Sequence, residues 1–141
     1  MVRKFTKMTL AASLLGLAAL LSASGGNGVA AADDKLPDIS EIMKKGHAKT
    51  DGYIAKIRTA AKEGKWDEAQ KYAKDFAILG DALGKNKPPK GTEASWKALS
   101  KKYEENTKLV LKGAEDKDAK TVNKGLAGIN CMECHSKHKG K

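Results

Sequence analysis

Cys131-Met132-Glu133-Cys134-His135 stands six residues short of the C-terminus, at the end of a stretch in which Val122, Leu126 and Ile129 recur at helical intervals. The run holds the only two cysteines of the chain. Two thiols three residues apart, with a histidine beside the second, form the pattern that attaches c-type haem, each thiol making a thioether to one vinyl group. On a helix, positions i, i+3 and i+4 share a face. One turn therefore carries both tethers, Cys131 and Cys134, and places the imidazole of His135 to ligate the iron. Two other readings compete. Zinc could take Cys131, Cys134, His135 and His138, although structural zinc sites more often draw on two separated pairs and this chain has one. A disulfide would leave His135 without a role.

Three stretches upstream repeat the helical rhythm, and no strand pattern competes with it. The first spans about Asp38 to Glu63, with Pro37-Asp38 as its start and Ile39, Ile42, Met43, Gly46, His47, Thr50, Tyr53, Ile54, Ile57 and Ala61 on one face. Gly46 and Gly52 weaken it by about 1 kcal/mol each relative to alanine, which marks a place to bend. The second, about Trp66 to Leu83, turns Ala69, Tyr72, Ala73, Phe76, Leu79, Gly80 and Leu83 inward and stops at Gly84. Pro88 and Pro89 forbid helix in the connection that follows. Thr92 then caps a third helix with Trp96, Leu99, Tyr103, Thr107, Val110 and Ala114 on its inner face, ended by Glu115-Asp116-Lys117-Asp118. The fourth begins near Asp118 and runs into the cysteine motif. Short connections between first and second and between third and fourth favour antiparallel neighbours, so the expected fold is an all-α, antiparallel four-helix bundle with haem covalently bound inside it.

Residues 1–32 read as a secretory signal peptide: Arg3, Lys4 and Lys7 precede an apolar run from Leu10 to Leu21, and small residues lead to a cut after Ala32 or Ala31. The run is too short to span a bilayer, so no stable membrane insertion is expected after cleavage. What remains, 33–141, suffices for one small domain. Phe5 leaves with the signal, and Phe76 is then the sole phenylalanine, so a buried porphyrin would supply much of the missing core. Export suits covalent haem, and a periplasmic or otherwise exported location is expected. The 141-residue chain carries 27 Lys+Arg against 17 Asp+Glu. The basic side chains are dispersed among carboxylates, which suits a solvated surface attracting acidic partners and not a nucleic-acid stripe.

With these features in place the chain resembles the class II cytochromes c, the cytochrome c-prime group, in its low-spin, methionine-ligated form. The likeness rests on Ile42-Met43-Lys44-Lys45, on Pro88-Pro89-Lys90-Gly91 leading to Trp96, and on the terminal Cys131-Met132-Glu133-Cys134-His135. It implies one covalent haem c, His135 as fifth iron ligand, and a sixth position either empty or filled by a first-helix methionine, which Met43 matches. It further implies a homodimer through the first two helices. Where the group usually has an aromatic and then an arginine after the haem histidine, this chain has His138 and Lys139.

Met43 and His47 lie one turn apart on the first helix, so either can approach a haem held by the fourth. A methionine partner raises the potential, a second histidine holds it lower, and an empty position admits nitric oxide or carbon monoxide. Met43 as mere core filling and His47 as a partly exposed histidine are the plain alternatives. His138, on the lysine-rich tail, is expected at the surface, and Met132 and Glu133 point away from the tethers. Among the aromatics, Trp96 is the first choice to touch haem, on the strength of the resemblance. The expected function is single-electron transfer between redox proteins with acidic docking surfaces. A five-coordinate haem binding nitric oxide or carbon monoxide is the rival, and no acid–base pair marks an enzyme.

Overall fold

The computed structural model of the chain describes residues 35–140, in which every regular element is an α-helix. The signal peptide read over residues 1–32 lies outside them. Six helices follow in order: α1 (Ile39–His47), α2 (Tyr53–Lys62), α3 (Trp66–Lys85), α4 (Glu93–Glu115), α5 (Ala119–Gly128) and α6 (Cys131–His138). Among the described residues no helix is long and apolar enough to cross a membrane.

The starts follow local capping chemistry. Asp38 accepts from the Glu41 amide at 2.7 Å, Thr92 from the Ser95 amide at 3.3 Å and Asp118 from the Lys120 amide at 2.9 Å. The expected helix over Asp38–Glu63 is in fact two. After His47 the backbone extends at Ala48 and turns to Gly52, the first cap of α2, where a Cβ would strike the Ala48 backbone and the Gly46 carbonyl. Thr50, expected on the inner face, is exposed in this turn. Gly84 does not stop the second stretch: α3 continues to Lys85, and Asn86 follows in extended conformation.

The fourth expected helix is also divided, at Ile129-Asn130. The Asn106 side chain donates to the Gly128 carbonyl at 3.1 Å and so closes α5. Asn130 opens α6 afresh, accepting from the Glu133 amide at 3.0 Å.

Packing is set by which faces can meet. Along α3 and α4, Gln70 reaches the Ala114 carbonyl, Gly80 backs onto Thr107 and Gly84 faces Ser100, so the two helices run antiparallel. On the other side of α4, Gly113 meets Val122, Gly125 meets Val110 and Gly128 meets Asn106, again antiparallel. Gly46 of α1 lies under Phe76 of α3, and Tyr53 of α2 tilts against Tyr72 at 6.4 Å between ring centres. The core holds Ile42, Ile57, Phe76, Leu83, Val110 and Val122 with almost no exposure, as the inner faces read from periodicity require.

These glycine contacts differ in what surrounds them. A Cβ at Gly125 would sit 2.9 Å from both the Asn106 carbonyl oxygen and the Val110 amide, backbone atoms that cannot turn aside, whereas at Gly84 it would meet only the Ser100 hydroxyl at 3.2 Å. Gly125→Ala should therefore destabilise by about 1–3 kcal/mol, overpacking exceeding the gain in helix propensity. Gly84→Ala should be neutral or stabilise by up to about 1 kcal/mol. Urea unfolding of the two variants beside the parent checks the contrast.

Candidate functional site

Between α1, α4 and α6 lies a mainly apolar cleft of ≈ 720 Å³, counting its open mouth. Met43 and His47 reach it from α1, Tyr103 from α4, and Cys131, Cys134 and His135 from α6. Leu83, Leu99 and Ile129 complete its apolar wall. The expected set from the first and last helices is thus brought to one space. Cys131 and His135 are exposed, while Cys134 and Met43 are half-buried and pack against the core. Both cysteines are free thiols. Burial, followed by the charges of Cys131 and Glu133, pushes the Cys134 thiol up, so it stays protonated at neutral pH.

A second hollow adjoins the first and shares Met43, Cys134 and His135 with it, adding Ile39, Pro89 and Trp96. Trp96 does not line the main cleft. Its indole donates to the Asn86 carbonyl at 2.7 Å, and Asn86 in turn donates to the carbonyls of Pro37 and Ala82. The aromatic residue in the main cleft is instead Tyr103.

His47 is half-buried, and its polar partner is a side chain of the core. Its Nε2 lies 2.9 Å from the Tyr103 hydroxyl, and its ring packs edge-on to Phe76 at 6.1 Å and against Tyr103 at 5.7 Å. Burial, then the nearby His135, hold its imidazole below the usual range. Burial, with a smaller contribution from Cys131, pushes the Tyr103 phenol far above its ordinary value, which keeps it a neutral hydroxyl.

The expectation of a surface His138 is overturned: the residue is 2 % exposed. Nδ1 sits 2.8 Å from the Lys90 carbonyl and Nε2 3.0 Å from the Ser95 hydroxyl, while Trp96 covers the ring edge-to-face at 5.3 Å. A carbonyl only accepts, so Nδ1 carries a proton and donates. Gly91, at φ +82°, makes room, since a Cβ there would lie 2.9 Å from Nδ1. The tail that looked solvated is thus a clamp fastening α6 to α4 and the proline connection. Both His138 ring nitrogens are engaged, and among the described residues no three His, Cys, Asp or Glu side chains gather as a metal ion would require. Zinc through those four residues loses its fourth ligand.

Glu133 is not idle either. It is half-buried at the cleft and pairs with Lys102 across 3.6 Å, whereas Met132 is 75 % exposed as expected. Two thiols on one turn, an adjacent imidazole and a thioether around an apolar space fit the donor set of covalent haem.

Two outcomes test this geometry. His138→Ala should weaken the docking of α6 by about 1–3 kcal/mol, through lost hydrogen bonds and an orphaned Lys90 carbonyl; hydrogen exchange of the α6 amides reads it. The unfolded chain protonates His47 near its ordinary pKa of 6.5, but the folded chain resists until lower pH. The stability contributed at this site is full above that value and falls as the pH drops below it. Denaturation midpoints of parent and His47→Gln, compared on either side of that pH, should therefore fall less steeply with acid in the variant. Compared with protein-family models, curated proteins and solved structures, the chain matches none significantly.

Proposed function

We propose that the chain is an exported monohaem c-type cytochrome of class II type that carries single electrons between redox proteins. The observation behind this reading is that Met43, distant in sequence from Cys131, Cys134 and His135, lines one apolar cleft with them. In this reading α1 with α2 and α5 with α6 each form one interrupted member of an antiparallel four-helix bundle. Cys131 and Cys134 would hold haem c through thioethers, with His135 as one iron ligand and Met43 as the other. When bound, the group supplies reversible exchange between ferrous and ferric iron.

The chain's own part is to tether, bury and tune. Leu83, Leu99 and Ile129 exclude water from the cleft, which favours the less charged state of whatever sits there. The clamp at His138 fastens the helix bearing Cys131, Cys134 and His135, so the ligand turn does not drift. Met43 brings an uncharged, polarizable sulfur, and sulfur ligation raises the potential. Lys139 at the adjoining hollow supplies positive charge where a partner would dock, while the charge of Lys102 at the cleft is offset by Glu133. Attraction to an acidic partner there should weaken with salt.

Exported protein should keep its haem colour through denaturing electrophoresis, and Cys131→Ser with Cys134→Ser should release it. Oxidised and reduced spectra of the parent should be low-spin, and Met43→Ala should turn high-spin and bind carbon monoxide. A parent that already binds carbon monoxide readily would favour the five-coordinate, small-ligand reading instead, and an unchanged spin state in Met43→Ala would remove Met43 from the iron.

A further inference from the structure

Met43 and His47 both reach the cleft from one turn of α1, and both are competent iron donors. What separates them is what each already does. His47 Nε2 is 2.9 Å from the Tyr103 hydroxyl. Phe76 and Tyr103 hold its ring on two sides. The preceding residue, Gly46, is buried so closely under the same two rings that a Cβ there would lie 3.1 Å from Phe76 and 3.3 Å from the Tyr103 oxygen. The Met43 sulfur is a weak acceptor that forfeits no strong hydrogen bond by turning to a metal.

We propose that Tyr103 selects the iron ligand: by engaging Nε2 of His47 it withholds the imidazole and leaves the position to Met43. The inference rests on the haem reading above. With the ring proton on Nδ1, the His47 Nε2 lone pair accepts the hydrogen bond that the phenol donates, and neither ring nitrogen has a lone pair left to give. The phenol can play this part at any physiological pH because burial keeps it neutral. Tyr103 is a positioning residue, acting on the iron only through His47.

The test uses the haem-loaded, exported protein and reads spectra and potential. Tyr103→Phe preserves the ring packing and removes only the hydroxyl. It should lose the weak far-red band that sulfur–iron ligation gives, and its potential should drop as His47 takes the position. Adding His47→Gln to Tyr103→Phe should restore the band. An independent arm keeps Tyr103: Met43→Ala alone should be five-coordinate and bind carbon monoxide, whereas Met43→Ala with Tyr103→Phe should be six-coordinate with two imidazoles. Retention of the sulfur band in Tyr103→Phe overturns the proposal, as does a two-imidazole spectrum in Met43→Ala alone. Either result leaves the cytochrome reading standing, while a parent without covalent haem overturns both.

Discussion

The arrangement depends on how closely α4 can be approached from two sides. Gly80 on α3, and Gly125 and Gly128 on α5, put bare backbone against Thr107, Val110 and Asn106 of α4. A small domain with one described phenylalanine cannot fill wide gaps between helices, so it draws the helices together instead. That approach carries Tyr103 to Phe76 at 5.9 Å between ring centres, in a T-shaped contact, and these two rings then determine where His47 sits. The wall of the cleft is thus a consequence of glycine packing in the neighbouring turns.

The cleft's other wall is held from outside the bundle core. The last helix, eight residues long, has little apolar surface of its own, with His138 its sole fully buried residue. A helix so short is marginal on propensity alone. Its position comes from Asn130 at one end and from His138 at the other, where Lys90, Ser95 and Trp96 enclose the ring. The Lys102–Glu133 pair adds little, as both partners keep access to water. The prolines and Gly91 of the connection before α4 therefore serve the site as well as the turn, because they present the Lys90 carbonyl to His138.

Inner faces of α3 and α4 were legible because long amphipathic stretches bury the residues their period aligns, from Phe76 and Leu83 to Tyr103 and Val110. The interruptions were less so. Asn130 followed by Glu133 was a helix-start signal, but the apolar rhythm running from Val122 to Ile129 masked it, and only the Asn106 side chain closing α5 makes the break necessary. The burial of His138 had no local signal at all, since Ser136-Lys137-His138-Lys139 reads as polar tail until Trp96 and Lys90 are folded over it.

By itself the sequence determined the helical class, the inward faces and the Cys131, Cys134 and His135 constellation, because each is set by spacing within a few turns of one chain segment. Tertiary structure alone decided what His47 and His138 engage. His47 and His138 lie 56 and 48 residues from the groups that engage them, Tyr103 and Lys90. No period links such positions, and a buried imidazole takes whatever partner the packing brings within hydrogen-bonding reach.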